Sequence, residues 1–591
     1  MSPADEYARR LRDRAQRVAH FEKIHIRLGN FRLILALVAG VTVWLLFHSN
    51  ISPWWLTAPA VIFAAIAVYH SRILREQELA KRAVTVYSNG LARIEDRWHD
   101  IGSIGERFNN PHHVYASDLD LFGKGGLFQL LSTARTGMGE DTLANWLLAP
   151  SSAQQIRERH ACIEELRTQL DLREDLAVLG GNTKVGVNAA ELVKWAEAPS
   201  RISPLWVRWI ALGLAALLAC AIAVWQVWGL LAPAIALLLA EAIVKYRMRN
   251  VLEEVQHGGE HALRDLDLLA VVLARIEAHK FQSPRLLALQ QHLSSSHVAS
   301  SRAIAKLRFI VDLILSQHNP VFQLLDIPSM YSVQVAFAVE TWRKAHGPAL
   351  RSWLAAVGEI EAILSLAGYS YEHAADPFPE FVEGDACFDS DELGHPLLPA
   401  AVCARNNVSI CGATRVLLVS GSNMSGKSTL MRAIGINIVL AMAGAPVRAA
   451  HLRLTPLHVG ASIRVNDSLQ EGSSRFYAEI MRLKQVFDLA GHTPSLLFLL
   501  DELLQGTNSK DRRIGAEGIL RALLQRGAIG LISTHDLALT EIGESLDQHI
   551  KNVHFQDELE NGRMKFDYKL REGLVTKSNG LELMRSVGLD V

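Results

Sequence analysis

The stretch Arg415–Thr429 reads RVLLVSGSNMSGKST and sets the architecture of the C-terminal part of the chain. An apolar run, Val416–Val419, leads into a glycine-rich loop with the spacing G-x4-G-K-[ST], and a helical pattern begins at Leu430. Strand, loop and helix in this order predict a phosphate-binding loop, because its backbone N–H groups and the helix N-terminus attract phosphate oxygens. An ordinary glycine-rich turn would need neither flanking element.

This loop predicts a nucleotide site. Lys427 adds positive charge beside the β- and γ-phosphates, and the Ser428 hydroxyl is a predicted ligand of Mg2+. ATP and Mg2+ are therefore the predicted cofactors. The residues expected to bind ATP are Gly421, Ser422, Asn423, Met424, Ser425, Gly426, Lys427, Ser428 and Thr429.

A second motif supplies two carboxylates. The apolar run Leu496–Leu500 predicts a buried parallel strand, and Asp501 and Glu502 follow it at the carboxyl edge of the sheet. Asp501 is expected to hold Mg2+, and Glu502 to orient or deprotonate the attacking water. Apolar runs that end in acids are common, so this interpretation depends on the phosphate loop upstream.

A histidine follows another predicted strand. The run Ala528–Ile532 leads into Ser533, Thr534 and His535, and His535 is the second predicted catalytic residue because it could sense the γ-phosphate. A capping or surface histidine is the alternative. Short apolar runs alternate with helical stretches after residue 376, which is typical of an α/β sheet domain.

The first of two long uncharged stretches is Leu33–Ser71, which is too long for one helical crossing of a hydrocarbon core about 30 Å thick. Polar turn formers and a proline interrupt it at Ser49–Pro53. Since these residues break helical hydrogen bonding, they predict a hairpin with spans at Phe31–Phe47 and Trp54–Tyr69.

The second uncharged stretch is Trp209–Ala240. It breaks at Trp225–Gly229, which predicts spans at Val207–Val224 and Gly229–Val244. Lys and Arg residues flank the first hairpin on both sides. The N-terminus and the ATPase domain are therefore expected in the cytoplasm, with the chain in a bacterial-type inner or plasma membrane. Buried helices of a large soluble core are the alternative.

Composition limits the remaining possibilities. The 591 residues include 60 Lys plus Arg and 61 Asp plus Glu, and this balance excludes a globally basic nucleic-acid coat. Hydrophobic residues make up 49% of the chain, too many for a disordered protein. The five cysteines are scattered, so neither a disulfide framework nor a zinc site is predicted, and a reducing compartment is expected.

These patterns together predict a mixed fold: an α-helical core, two transmembrane helical hairpins and a C-terminal α/β P-loop NTPase domain of the ABC-like type. The predicted units are a basic cytoplasmic N-terminal segment (1–32), hairpin 1 (33–71), the first part of the helical core (72–205), hairpin 2 (206–246), the second part of the core (247–375) and the ATPase domain (376–591).

Residues 415–591 resemble the ATPase domain of the MutS family. The family's phosphate loop reads G-P-N-M-x-G-K-S-T, and this chain matches it except that Ser422 replaces the proline. Glu471–Phe476 together with Glu479 resembles the family's S-G-R-S-T-F-x-x-E segment. By position, this resemblance implies that Ser474 reaches the nucleotide of a partner subunit.

Two further segments carry the resemblance. Asp501–Thr507 with Asp511 resembles D-E-x-x-x-G-T-x-x-x-D, and Thr534–His535 resembles the family's T-H pair. Upstream, Leu127–Pro150 is similar to the family's core pattern T…G…L…W-L…P. The loop after Glu502 departs from the family, because it reads Leu-Leu-Gln where Ile-Gly-Arg is usual.

The resemblance also implies what the chain does. It implies an ATPase that forms a homodimer through its nucleotide domains and binds DNA, with mismatch repair or recognition of DNA structure as the family's task. Family members that read mismatches carry an amino-terminal domain with a Phe-x-Glu motif. Only residues 1–32 precede hairpin 1 here, so a membrane-associated subgroup without that domain is expected, and the lipid bilayer is the second expected partner.

Two alternatives stay open. One is ATP-driven transport or membrane remodelling, but the spans are short and carry no charged residue except at their edges, as with Arg208 and Glu241. The other is a membrane adaptor that uses ATP only as a conformational switch.

Overall fold

The computed structural model describes residues 2–48, 52–180, 189–199, 206–260, 266–294, 298–316, 326, 329–422, 424–464, 475–504, 507–535, 549–560 and 563–574. Helices make up the N-terminal part and an α/β sheet domain the C-terminal part, which confirms the predicted mixed architecture. The described helices before the sheets are α1 (Pro3–His48), α2 (Thr57–Ile94), α3 (Leu127–Leu131), α4 (Gly137–Leu148), α5 (Ala153–Arg167), α6 (Leu170–Leu179), α7 (Ala189–Glu197), α8 (Trp206–Trp228), α9 (Ala232–Glu260), α10 (Leu266–Glu277), α11 (Pro284–Ser294), α12 (Ser300–Ser316) and α13 (Tyr331–Glu372), with short 3-10 helices at Pro53–Leu56 and Glu106–Phe108.

Helices α1 and α2 form a long antiparallel hairpin. The basic segment that precedes the first apolar span is helical from Pro3, so α1 continues through both for 46 residues. At the base of the hairpin, Arg14 binds Glu174 of α6, and Arg93 binds Glu372 at the end of α13. These bidentate ion pairs join the hairpin to the helical core.

Helices α8 and α9 form the second hairpin. The chain stays helical through Trp228 and turns at Gly229, whose φ of 71° favours glycine, so the turn lies at the C-terminal end of the predicted break Trp225–Gly229. By length and composition, three described helical stretches could cross a membrane, namely Pro3–His48, Trp54–Ile94 and Arg208–Trp228. The stretch predicted as the fourth span, in α9, is not among them.

Helix α13 is the central helix of the helical core. It has 42 residues, and Trp353 and Ile360 are fully buried along it. Trp342 donates its indole N–H to the carbonyl oxygen of Ala303 in α12 at 2.7 Å. Packing of α4, α5, α7 and α12 around this helix buries the apolar stripes that the sequence shows at helical spacing.

A six-stranded sheet holds the predicted phosphate loop. Its strand order is β10-β9-β4-β8-β7-β6, and all neighbours are parallel except β9 and β10. The strands are β4 (Val416–Ser420), β6 (Leu457–Ser462), β7 (Ser495–Leu500), β8 (Ile529–Thr534), β9 (Ile550–Glu560) and β10 (Arg563–Glu572), and the helices beside them are α14 (Lys427–Ala443), α15 (Arg475–Leu489) and α16 (Ser509–Gln525). Since β4, β7 and β8 run in the same direction, their carboxyl ends meet at one edge.

A smaller sheet lies beside it. It contains β1 (Glu380–Phe381), β2 (Phe388–Leu393), β3 (Asn406–Ile410) and β5 (His451–Leu454) in the order β1-β5-β2-β3. A disulfide joins Cys387 to Cys411, although the scattered cysteines predicted no disulfide framework. The two residues are 24 apart in sequence, but antiparallel pairing of Phe388 with Ile410 places them opposite each other.

The helical core docks on the sheet domain through the segment before α3. The buried Asp118 carboxylate accepts the N–H groups of Ile463 and Arg464 at 2.8 and 2.7 Å, just after β6. Leu119 is fully buried against Gly435 of α14, where a β-carbon would collide with it. The helix that follows the phosphate loop is therefore packed directly against the helical core.

Candidate functional site

The predicted phosphate loop lies between β4 and α14. Gly426 and Met424 have left-handed backbone, with φ of 107° and 70°, and the Met424 side chain points into solvent. The Lys427 ammonium donates to the carbonyl oxygens of Gly421 and Ser422 at 2.8 and 2.9 Å. Burial lowers the pKa of Lys427, while the charges of Glu502 and Asp501 oppose that shift.

The predicted acidic pair meets this loop. Asp501 follows β7, and one of its carboxylate oxygens accepts a hydrogen bond from the Ser428 hydroxyl at 2.5 Å. The other oxygen accepts a hydrogen bond from the hydroxyl of Ser533, which lies in the adjacent strand β8. Ser533 also accepts the backbone N–H of Glu502 at 3.2 Å. The two predicted Mg2+ ligands, Ser428 and Asp501, are thus in direct contact.

Both predicted catalytic side chains lie at the same edge of the sheet. The His535 Nδ1 is 3.3 Å from Glu502 Oε1, and both side chains are partly exposed. Their strands, β7 and β8, are neighbours in register, which explains why two residues 33 apart in sequence meet. A carboxylate beside an imidazole can orient a water molecule and accept its proton.

The donors at this edge suit a hard cation that is shared with phosphate. Among the described residues, no group of three or more His, Cys, Asp and Glu could hold a metal ion. Mg2+ usually takes one or two protein oxygens and completes its shell with phosphates and water. The Ser428 hydroxyl and the Asp501 carboxylate are such oxygens, so the donor set fits Mg2+.

A cavity of about 390 Å3 adjoins the phosphate loop. Lys427, Ser428 and Glu502 line one side. The other side comes from the loop between β2 and β3 and from the β9–β10 hairpin, and its main lining residues are Leu393, His395, Leu398, Val402, Phe555 and Tyr568. An apolar side combined with a side that carries the predicted phosphate loop suits a nucleotide.

Sequence motifs did not reveal the apolar side of the cavity. Its residues belong to a separate sheet and to a late hairpin, and no spacing pattern connects them. Burial lowers the pKa of His395 to about 4, so this imidazole is neutral at physiological pH. Ser533 was also not predicted, although its place directly after the run Ala528–Ile532 puts it at the same edge as Asp501.

Two predicted site residues cannot be placed. Asn423 and Ser474 lie outside the described residues. The remaining predicted nucleotide-binding residues lie in the loop and in the first turn of α14. They are Gly421, Ser422, Met424, Ser425, Gly426, Lys427, Ser428 and Thr429.

Comparison with known proteins identifies two domains in this chain. The model of MutS domain III matches residues 113–191, and the model of MutS domain V matches residues 417–590. The chain belongs to the MutS family. Domain V of this MutS-family chain contains the phosphate loop and the acidic pair, so the resemblance seen in the sequence is confirmed.

Relatives in this family match parts of the chain. The DNA mismatch repair protein MutS of Streptococcus uberis is 35% identical over 187 residues, which are 31% of this chain and 22% of that protein. The Endonuclease MutS2 of Thermus thermophilus is 34% identical over 196 residues, 33% of this chain and 25% of that protein. The DNA mismatch repair protein MutS of Brevibacillus brevis is 26% identical over 505 residues, 78% of this chain and 57% of that protein. The MutS-family chain thus spans less than two thirds of each of these relatives.

Proposed function

We propose that this MutS-family chain binds ATP with Mg2+ and hydrolyses the ATP. The observation that carries the proposal is the convergence of Lys427, Ser428, Asp501, Glu502 and His535 at one edge of the sheet beside a nucleotide-sized cavity. The names of the relatives support an enzyme of DNA metabolism in general. The detailed roles below come from the geometry and from the chemistry of these side chains.

Binding of the triphosphate depends on the loop. Backbone N–H groups at the N-terminus of α14 and the Lys427 ammonium would attract the phosphate oxygens. In exchange, Lys427 would release its hydrogen bonds to Gly421 and Ser422. Ser428 and Asp501 would hold Mg2+, which neutralises charge on the β- and γ-phosphates when bound.

Hydrolysis depends on the carboxylate at the sheet edge. Glu502 Oε1 or Oε2 would accept a proton from a water molecule aligned with the γ-phosphate. His535, bonded to Glu502 Oε1, would keep that carboxylate in place and sense the phosphate. The Ser533 hydroxyl would hold Asp501 and the Glu502 backbone together, because it contacts both.

We further propose that two copies of the chain pair through their ATPase domains. In the resemblance to the MutS family, Ser474 stands where a serine reaches the nucleotide of the second copy. Two composite sites would then form, and each would use the phosphate loop of one copy and Ser474 of the other.

The two helical hairpins are proposed to anchor the chain in a lipid bilayer. Large apolar side chains are exposed on them, and Phe47, Trp54 and Trp228 are among the most exposed. A soluble surface rarely carries so extended an apolar area. The proposed location is a bacterial-type inner or plasma membrane, with the N-terminus and the ATPase domain in the cytoplasm because basic residues flank hairpin 1.

DNA is the proposed macromolecular ligand, because mismatch repair appears in the names of the relatives. The balanced net charge of −1 means that any DNA-binding surface is local. A linear fall of log affinity with log salt would count its phosphate contacts. Absence of binding to homoduplex, mismatched and branched DNA at low salt would reject this part of the proposal.

The ATPase proposal is tested with two variants of the detergent-purified chain. Lys427→Ala should weaken ATP binding, since it removes the charge that contacts the phosphates. Glu502→Gln should preserve binding and lower kcat by about a hundredfold or more, because the amide cannot accept a proton. Wild-type turnover in pure Glu502→Gln protein would remove the catalytic assignment.

A further inference from the structure

The turn that carries Glu502 has an unusual backbone. Glu502 and Leu504 both have left-handed conformations, with φ of 49° and 56°. Residues other than glycine adopt this backbone conformation at a cost in free energy. They therefore persist in it only where contacts with their surroundings hold them. Leu504 carries a side chain at this left-handed position, so contacts with its surroundings must hold the turn.

Three contacts hold Leu504. Its N–H donates to Glu479 Oε1 of α15 at 2.5 Å, and its carbonyl oxygen accepts from Arg512 Nε of α16 at 3.2 Å. Its side chain is buried, and it packs so closely on Gly515 of α16 that a β-carbon there would lie 2.8 Å from the leucine methyl. Leu504 is therefore fixed from both flanking helices.

We propose that Glu479 is a positioning residue for Glu502. The Glu479 side chain is buried, and its carboxylate accepts a backbone N–H two residues beyond the catalytic carboxylate. Ser533 holds the other end of the turn through the Glu502 N–H. With both ends held, the left-handed backbone directs Glu502 to the cavity and not along the course of β7.

The contact with Glu479 is the one that substitution tests most cleanly. A glutamine at 479 keeps an oxygen that accepts the Leu504 N–H, whereas an alanine leaves that N–H without this partner. Buried backbone N–H groups are rarely left unpaired, so the turn in the alanine variant should shift. The Glu502 carboxylate would then move away from its catalytic position while the phosphate loop stays intact.

This inference rests on the proposed ATPase activity, and the experiment separates the two. Three variants are compared with the wild type: Glu479→Ala, Glu479→Gln and Asp488→Ala. The measurements are kcat, ATP affinity and hydrogen exchange of the peptide that contains Leu504. Asp488 is the matched control, because it lies on the same helix α15 and pairs with Lys484 on the exposed surface.

We expect Glu479→Ala to lower kcat by about tenfold to a hundredfold, to leave ATP affinity within about twofold, and to speed exchange at Leu504. Glu479→Gln and Asp488→Ala should behave like the wild type. Wild-type kcat in Glu479→Ala would overturn the inference, and so would equal loss of ATP affinity in both Glu479 variants.

Two further outcomes are informative. If Glu479→Ala does not fold, Arg512→Ala removes the contact with the Leu504 carbonyl from the other helix, and the same selective loss of kcat is expected. If the wild type hydrolyses no ATP, the proposed function is wrong. Hydrogen exchange then still decides the structural claim, because unchanged protection of Leu504 in Glu479→Ala would contradict it.

Discussion

The Ser428 hydroxyl donates a hydrogen bond to the Asp501 carboxylate, although the two residues are 73 apart in sequence. This contact joins the first turn of α14 to the end of β7. It places two oxygen donors where the phosphate loop opens into the cavity, and Ser533 holds the second carboxylate oxygen. The geometry of this pair makes the proposed Mg2+ site testable.

Replacement of Ser428 by alanine should weaken Mg2+ binding in the presence of ATP. The variant loses one of two proposed protein ligands, so the Mg2+ concentration for half-maximal ATP hydrolysis should rise by about tenfold. A titration of Mg2+ at a fixed ATP concentration measures this half-maximal Mg2+ concentration. Ser409→Ala, on an exposed position of β3, is the control and should titrate like the wild type. An unchanged midpoint in Ser428→Ala would remove the ligand assignment.

Acid should destabilise the chain through buried histidines. Burial holds the pKa of His395 at about 4, below the value of about 6.5 in an unfolded chain. Between these two values the unfolded state binds a proton that the folded state does not. The free energy of unfolding therefore falls as pH falls through this window, and above it His395 has no effect.

The expected change in the free energy of unfolding can be measured by urea unfolding at two pH values. From pH 7.5 to 5.5, His395 should lower the free energy of unfolding by about 1.4 kcal/mol. The variant His395→Asn should lose correspondingly less stability over the same interval. His160, whose pKa burial also lowers to about 4, contributes in the same direction in both proteins. Equal pH dependence in wild type and variant would contradict the prediction.

The first hairpin should expose its turn on the far side of the membrane. Ser52 lies between α1 and α2 and is exposed, so Ser52→Cys is expected to react with a membrane-impermeant maleimide in intact cells. The wild type is the control and should stay unlabelled. Of its free cysteines, Cys162 is buried, Cys403 lies in the domain proposed to be cytoplasmic, and Cys220 lies on α8 within the second proposed membrane hairpin. Labelling of Ser52→Cys only after cell lysis would show that the hairpin does not cross.

A glycine in the central sheet should resist substitution. A β-carbon at Gly530 of β8 would collide with the Phe498 backbone and ring on β7, so Gly530→Ala should destabilise the chain by about 3 kcal/mol. Gly518→Ala is the matched control, since nothing lies within 4 Å of that position on α16. Because alanine is the better helix former, the control should gain about 0.5–1 kcal/mol in denaturant unfolding.

Much of the proposed site can be predicted from contiguous sequence. The phosphate loop needs a strand, a turn with glycine at special φ and a helix, all within about fifteen residues, and such short-range rules act on neighbouring residues. The apolar run Leu496–Leu500 likewise predicts a buried strand, and Asp501 and Glu502 follow it at the edge of the sheet. Parallel strands bring these ends together, so Ser428, Asp501 and His535 could be expected to meet.

Other features depend on pairing between distant segments, which local patterns do not encode. The opposition of Cys387 and Cys411 follows from the register of β2 with β3, and the apolar side of the cavity requires the loop between these strands to pack beside α14. The anchoring of Leu504 needs two helices from either side of it in the chain. Neighbouring residues in the chain therefore predict the phosphate loop and the acidic pair. The apolar side of the cavity and the contacts that hold Glu502 arise from long-range packing, because residues far apart in sequence supply both.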